Sequence, residues 1–339
     1  MSGSLLIGQG RMMSLGGYLF VKFRLLLLLA AVVSQLWVAV PSFAAEKKFM
    51  AVVITGGLDR YREAQEAFEQ IIESGGMKDK IQIYVQMPNP DPMSWANTIR
   101  KAVGVGADLI VTYGAPATLV AMKESSSIPI VFADVYDPVA LNIVKDLNIT
   151  GGNITGVSSK TPVETLVAAI FEIKKFKKVG ILYTKFDQGS VLQSDEFEKL
   201  LAARGAGAVR ENVVKAGDIA AATQTLAEKA DLLFVSESAV LHLKLDEIIA
   251  IANAKGIPVV SQIPHLADHG ALVTLAADST EQGRLLGVHT IQILNGQKAL
   301  TLPVRTPRKV ALTMNLKAAK LLHLTIPFQA LSMATEVVQ

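Results

Sequence analysis

The chain has no cysteine among its 339 residues. That excludes disulfides, thiolate metal sites, a cysteine nucleophile and a cysteine-linked lipid anchor. Sequences of the HExxH, GxSxG, SxxK and Walker types are also missing, so no familiar hydrolase or nucleotide-binding signature presents itself. Apolar runs are short: LLLLLAAVVSQLWVAV extends only from Leu25 to Val40 and contains Ser34 and Gln35, less than the roughly 20 apolar residues that cross a bilayer. An excess of either charge is missing too. The net charge of +3 arises from 33 Lys and Arg against 30 Asp and Glu, and Arg11, Lys22 and Arg24 all lie before Ala44 in a stretch without acids. The rest of the chain is balanced and has no basic clusters, a poor match to nucleic-acid binding.

What is present begins with those first residues. A basic region, a short apolar core and small residues at Ser42 and Ala44 read as a secretory signal over 1–44, cleaved near Ala44. The expectation is a soluble, exported protein of the periplasm without a lipid anchor.

From Phe49 onward, strand-length apolar runs alternate with amphipathic stretches. The runs are FMAVVI, IQIYVQ, DLIVTY, IPIVFA, ITGVS, KVGILYT, VRENVV, DLLFVS, IPVVS and ALVTLA, most of them too continuously apolar for a sheet with one wet face. Between them, LDRYREAQEAFEQIIESGG carries Tyr61, Ala64, Phe68, Ile71 and Ile72 on one face, with Gly75 placed for a left-handed cap. Thr161-Pro162-Val163-Glu164 reads as a capping box with proline in the first turn. Alternating strand and helix predicts an α/β fold with parallel sheets covered on both faces.

The pattern is written twice. KKFMAVVIT at Lys47 is echoed by KKVGILYT at Lys177, and Asp108 and Pro129 by Asp231 and Pro258. Four units recur in the same order, a domain-sized duplication rather than a solenoid. The chain therefore divides into two Rossmann-like lobes, 45–155 plus about 278–303 and 156–277 plus about 304–339, joined by a multi-strand hinge. The segment Thr150 to Gly156 is the first hinge candidate, and the tail re-crosses the hinge to complete the two sheets.

Ligands of parallel α/β sheets bind beyond the carboxyl ends of the strands. Here those ends carry Thr55, Tyr113 to Thr118 and Asp134 to Asp137 in the first half. In the second they carry Thr184 to Ser190, Ser236 to Ser238 and Ser261-Gln262, with Asp278 after the returning strand. The acids Asp134, Asp137, Asp187, Glu237 and Asp278 outnumber Lys185, and no arginine is among them, which favours a ligand with an ammonium group over a phosphate or dicarboxylate. Asp137, Glu237 and Asp278 are the candidates for that ammonium. Backbone N–H groups at Ala115, Ala117, Thr118, Gly189 and Ser190 are the candidates for a carboxylate, and Tyr113, Tyr136 and Phe186 for an aromatic side chain. His265 and His269 in PHLADHG have a spacing that could hold zinc, but no third ligand lies nearby, and the expectation is neither metal nor cofactor.

The runs IPIVFADVYDPVA, GGNITGVSSKTPVE, KKVGILYT, GIPVVS and DSTEQGRLLG, with the ending PRKVALTMNLKAAKLLHLTIP, resemble the ABC-transporter substrate-binding proteins of the tryptophan/tyrosine type over about Phe49 to Pro327. The resemblance implies a type I periplasmic-binding-protein fold that closes on a small molecule, aromatic amino acids among the family's ligands, and delivers it to a membrane permease with its ATPase. It places the pocket at Ala115 to Thr118, Asp137, Gln188 to Ser190, Ser236 to Ser238 and near Asp278. This chain departs from the family pattern at Ala115-Pro116-Ala117, where Thr-Pro-Ala is common, and at Gly189-Ser190 and Glu237-Ser238, where Asn-Ser and Asp-Asn are usual. Such losses of hydroxyl and amide groups are large enough to change specificity. The expected protein is a monomeric solute-binding component and not an enzyme, with a receptor component of a membrane signalling system as the alternative.

Overall fold

The computed structural model describes residues 47–339, and the leader expectation for 1–44 lies outside them. The first strands are β1 (Lys48–Ile54), β2 (Ile81–Gln86), β3 (Leu109–Tyr113), β4 (Ile130–Val135) and β5 (Ile154–Ser158). They form one parallel sheet in the order β2-β1-β3-β4-β5. The remaining strands are β6 (Lys178–Tyr183), β7 (Gly207–Asn212), β8 (Leu232–Val235), β9 (Val259–Ser261), β10 (Val273–Ala277), β11 (Val310–Asn315) and β12 (Glu336–Val338). They make a second sheet, β12-β11-β10-β9-β8-β6-β7, in which β11 runs antiparallel to β10 and the other pairings are parallel.

Alternation within the strands explains why they are apolar throughout. In β1, Met50, Val52 and Ile54 enter one core while Ala51 and Val53 enter another; in β8, Leu232 and Phe234 point one way and Leu233 and Val235 the other. A strand with helices on both faces has no wet side to mark with polar residues. The first sheet is covered by α1 (Asp59–Ser74) on one face and by α2 (Pro92–Gly104) and α3 (Ala115–Glu124) on the other. In the second lobe α4 (Val163–Ile173) and α5 (Gln188–Ala203) cover one face, and α6 (Ile219–Ala227), α7 (Ala239–His242) and α8 (Leu245–Ala254) the other. The helix α9 (Ser279–Leu294) follows a strand of the second sheet but packs on α1 of the first lobe. The chain ends with α10 (Leu316–Leu321) and α11 (Phe328–Leu331) beside β11 and β12.

Several local expectations change. The left-handed residue after α1 is Gly76, with φ of 68°, one position beyond Gly75, whose φ is −78°. No capping box forms at α4, because the Thr161 hydroxyl accepts a hydrogen bond from Gln262 Nε2 at 2.7 Å instead. The glycine-rich stretch after Thr150 runs into β5, an edge strand of the first sheet, so the chain leaves that lobe only after Ser158. It returns between β10 and α9 and leaves again before β11. Both tail strands join the second sheet, and the first gains only a bridge between Val157 and Arg305.

Candidate functional site

The carboxyl ends of the two sheets face each other. A Cβ built on Gly189 at the start of α5 would stand 3.7 Å from Ala115 Cβ and 3.9 Å from Tyr136 Cβ, and one built on Gly56 would stand 2.9 Å from Ala239 Cβ. Trp95 and Phe186 meet with ring centroids 6.0 Å apart, and the Tyr136 hydroxyl donates to Glu196 Oε2 at 2.7 Å. The lobes are closed on one another.

The first-lobe wall is built around a kink. Between Phe132 and Val135 the register of β4 against β5 shifts, and Asp134 there has φ of 55°. A non-glycine residue in this region carries strain that surrounding contacts must offset. Gln282 of α9 supplies them: its Oε1 accepts from Asp134 N at 3.0 Å and its Nε2 donates to Asp134 Oδ1 at 3.3 Å. The turned-out carboxylate then accepts from Arg60 Nε of α1 at 2.6 Å, with both side chains buried. This corrects the expectation that no arginine reaches the cleft, which rested on reading strand ends alone. Arg60 arrives from a helix, and it lies one turn ahead of Ala64 on the buried stripe of α1. An arginine on an apolar helix face is the signal that was available.

The second-lobe wall holds two further acids. Asp187 caps α5, accepting from Gly189 N at 3.1 Å and Ser190 N at 3.3 Å. Glu237 is gripped at both ends by Gln193, whose Nε2 donates to Glu237 Oε2 and whose Oε1 accepts from Glu237 N, both at 2.7 Å. Desolvation lifts Glu237 to about 8, against the opposing pull of Arg60, and the Asp134 charge adds to the rise. Desolvation likewise lifts Asp187 to about 6, although the Ser190 amide and Arg60 act to lower it. One guanidinium and three carboxylates thus share the cleft.

The sequence-derived residues divide sharply by environment. Ala115, Tyr136, Phe186, Gly189 and Glu237 lie on the facing walls, whereas Ala117 is fully buried in the core of the first lobe. Tyr113 is not on the walls either: its ring is fully buried in the first-lobe core, 5.8 Å from Tyr61. The Thr55 hydroxyl is held by the Tyr113 carbonyl, and that of Thr118 by Thr112 and the Gly114 carbonyl, both at 2.8 Å. Ser190 and Ser236 are fully buried and bond to each other at 2.6 Å, tying α5 to β8. Two of the three acids chosen for the ammonium are engaged elsewhere. Asp137 pairs with Lys160 Nζ at 2.6 Å and accepts from Ala140 N; partial burial works to raise its carboxyl, but these partners hold it below the ordinary value. Asp278 caps α9 through Glu281 N at 2.6 Å. The N–H groups of Gly189 and Ser190, expected to meet a carboxylate, are already bonded to Asp187. His265 and His269 do not share a helix face. The segment is a series of turns in which His265 faces Glu63 at 3.4 Å and His269 faces Asp246 at 2.8 Å.

Two doubly wound lobes, crossed between three times by the chain and closing a charged and aromatic cleft, define a ligand-binding protein of the type I periplasmic class. Comparison with known proteins agrees in fold. A Vibrio cholerae conserved domain protein superposes with a TM-score of 0.82 at 26% identity, over 86% of this chain and 100% of its own. A Streptococcus pneumoniae ABC domain in complex with L-Trp gives 0.81 at 24% identity, with the same coverage. A ligand-free, open substrate-binding protein with adhesive properties from Clostridium difficile gives 0.62 at 23%, over 86% of this chain and 99% of its own. The curated tyrosine-binding protein of Clostridioides difficile (strain R20291) is 25% identical over 265 residues, 77% of each chain. The ABC transporter substrate binding protein family matches residues 51–338, and the chain belongs to it. It is the extracytoplasmic substrate-binding component of an ABC transporter, with a small molecule as its cargo.

Proposed function

We propose that the cargo is an amino acid with an aromatic side chain, captured by closure of the two lobes and passed to the permease. The observation that carries this reading is the composition of the closed cleft. A guanidinium on one lobe faces two acids on the other, and Tyr136 and Phe186 line the same walls, Phe186 against Trp95. Opposite charges on opposite lobes suit a zwitterion, because both ends are engaged only when the lobes meet, and that differential affinity drives closure. The tyrosine-binding relative and the L-Trp complex of another point to the same class of ligand.

The protein works as an exported monomer of the periplasm, its leader removed near Ala44. It performs no catalysis, requires neither metal nor cofactor, and takes no nucleic acid. A thermal-shift screen over the amino acids tests the reading. Ligand at 100 times its dissociation constant adds about 2.7 kcal/mol of stability, so tyrosine, tryptophan or phenylalanine should raise the melting temperature. Silence from all of them, with a response to sugars or anions, would remove the aromatic amino acid as cargo.

A further inference from the structure

The expected carboxylate seat is filled. At the start of α5 the Gly189 and Ser190 amides, which would otherwise receive an anion, are bonded to the Asp187 side chain. Lys160 is committed to Asp137, and Lys185 faces solvent. Arg60 is different. Its Nε is fixed by Asp134 and its Nη2 reaches the Tyr61 hydroxyl at 3.4 Å, while Nη1 is buried without a hydrogen-bond partner. Arg60 retains 7% of its surface, so bulk water does not satisfy that nitrogen, and an orphaned charged donor is costly to bury. The side chain faces the second lobe: it lines a small cavity with His242 and Ile263, and its charge acts on Glu237 and Asp187.

We propose that Arg60 is the carboxylate anchor of the cleft, its free Nη1 taking the carboxylate of the amino acid while Glu237 receives the ammonium. Asp134 and Gln282 are positioning residues. The Asp134 carboxylate fixes the guanidinium plane through Nε, and Gln282 holds Asp134 in its left-handed conformation from both its N–H and its side chain. The anchor sits on the first lobe and the ammonium partner on the second. Neither half of the ligand is fully bound until the cleft shuts. Arginine suits this role because a guanidinium can hold one carboxylate internally through Nε and still present another nitrogen in the same plane. This inference rests on the amino-acid reading of the site and adds the group that selects for the acid end of the ligand.

The experiment compares L-tyrosine with tyramine and L-tryptophan with tryptamine by isothermal calorimetry, each pair differing only in the carboxylate. In the native protein the acid should bind more tightly than the amine by on the order of 10- to 100-fold. Arg60→Lys keeps a cation beside Asp134 but lacks the second planar nitrogen. It should collapse that ratio to within about threefold, chiefly by weakening the acid. Gln282→Glu, which turns a donor to Asp134 into a repelling acceptor, should narrow the ratio as well without touching the ligand. If native protein binds the acids and Arg60→Lys, with an unchanged melting temperature, keeps the same ratio, the anchor lies elsewhere and a buried water satisfies Nη1. Should Arg60→Lys not fold, equal affinity of native protein for acid and amine overturns the proposal directly. If none of the four probes binds native protein, the amino-acid reading itself falls and the anchor with it.

Discussion

Glu237 and Asp187 sit in the cleft with carboxyl groups raised by burial, to about 8 and about 6. The ordinary value for Glu237 is 4.5. Between that value and about 8 the folded, closed protein holds a proton that the unfolded chain has released. Its contribution to stability is therefore present on the acid side and is lost as the pH rises through the raised value. The melting temperature of ligand-free protein should fall as the pH is taken from about 5 to about 8, and Glu237→Gln should flatten the curve. Superimposable profiles for the two proteins would show that Glu237 carries no such proton. An incoming ammonium favours the ionised carboxylate, so binding near neutral pH should release protons, readable as a dependence of the calorimetric heat on buffer ionisation enthalpy. At this scale the sequence reads unevenly. Glu237 was visible at a strand end, but the engagement of Asp137 by Lys160, 23 residues on, depends on tertiary placement, which a list of strand-end residues does not contain. The capping of α5 by Asp187 is local, and a list of strand ends simply did not weigh it.

The contact of α9 with α1 depends on a missing side chain. A Cβ on Gly283 would lie 2.0 Å from the Ala64 carbonyl oxygen, backbone that cannot step aside, and α9 also carries Gln282, which braces Asp134. Gly283→Ala should destabilise the protein by about 1–3 kcal/mol, the usual cost of overpacking, measured by urea unfolding with an unchanged slope. It should also weaken ligand binding, because a displaced α9 takes Gln282 with it. Core strands were legible because burial on both faces writes an uninterrupted apolar run, as in LIVTY and LLFV. The edge strand β12, only three residues and mostly exposed, leaves no such mark. The Thr161 box failed for a related reason: a short local motif lost its hydroxyl to Gln262, a distant partner that local spacing does not foresee.

The lobes touch through a few discrete contacts, and these should set the balance between open and closed forms. Tyr136→Phe removes the hydrogen bond to Glu196 and should enlarge the radius of gyration of ligand-free protein in small-angle scattering. Gly56→Val drives methyl groups into Ala239 and should hold the cleft ajar, lowering affinity for every ligand alike. A variant that binds as tightly as native protein would mean that Gly56 and Ala239 separate in the liganded form. Trp95, whose indole donates to the Thr55 carbonyl at 2.9 Å, lies against Phe186 of the opposite lobe, and its emission should shift when the lobes part. Duplication and lobe architecture were readable from the repeated runs, whereas the points of crossing were not, since Gly and Thr mark turns without saying which sheet follows. The return of α9 to the first lobe has a further consequence, one of timing. During synthesis the flank of α1 at Ala64 and Ile71, and the β4–β5 end of the sheet beside it, wait uncovered until Ser279–Leu294 have been made, almost at the end of the chain. The first lobe thus stays incomplete while most of the protein emerges, so its folding cannot finish domain by domain from the N-terminus.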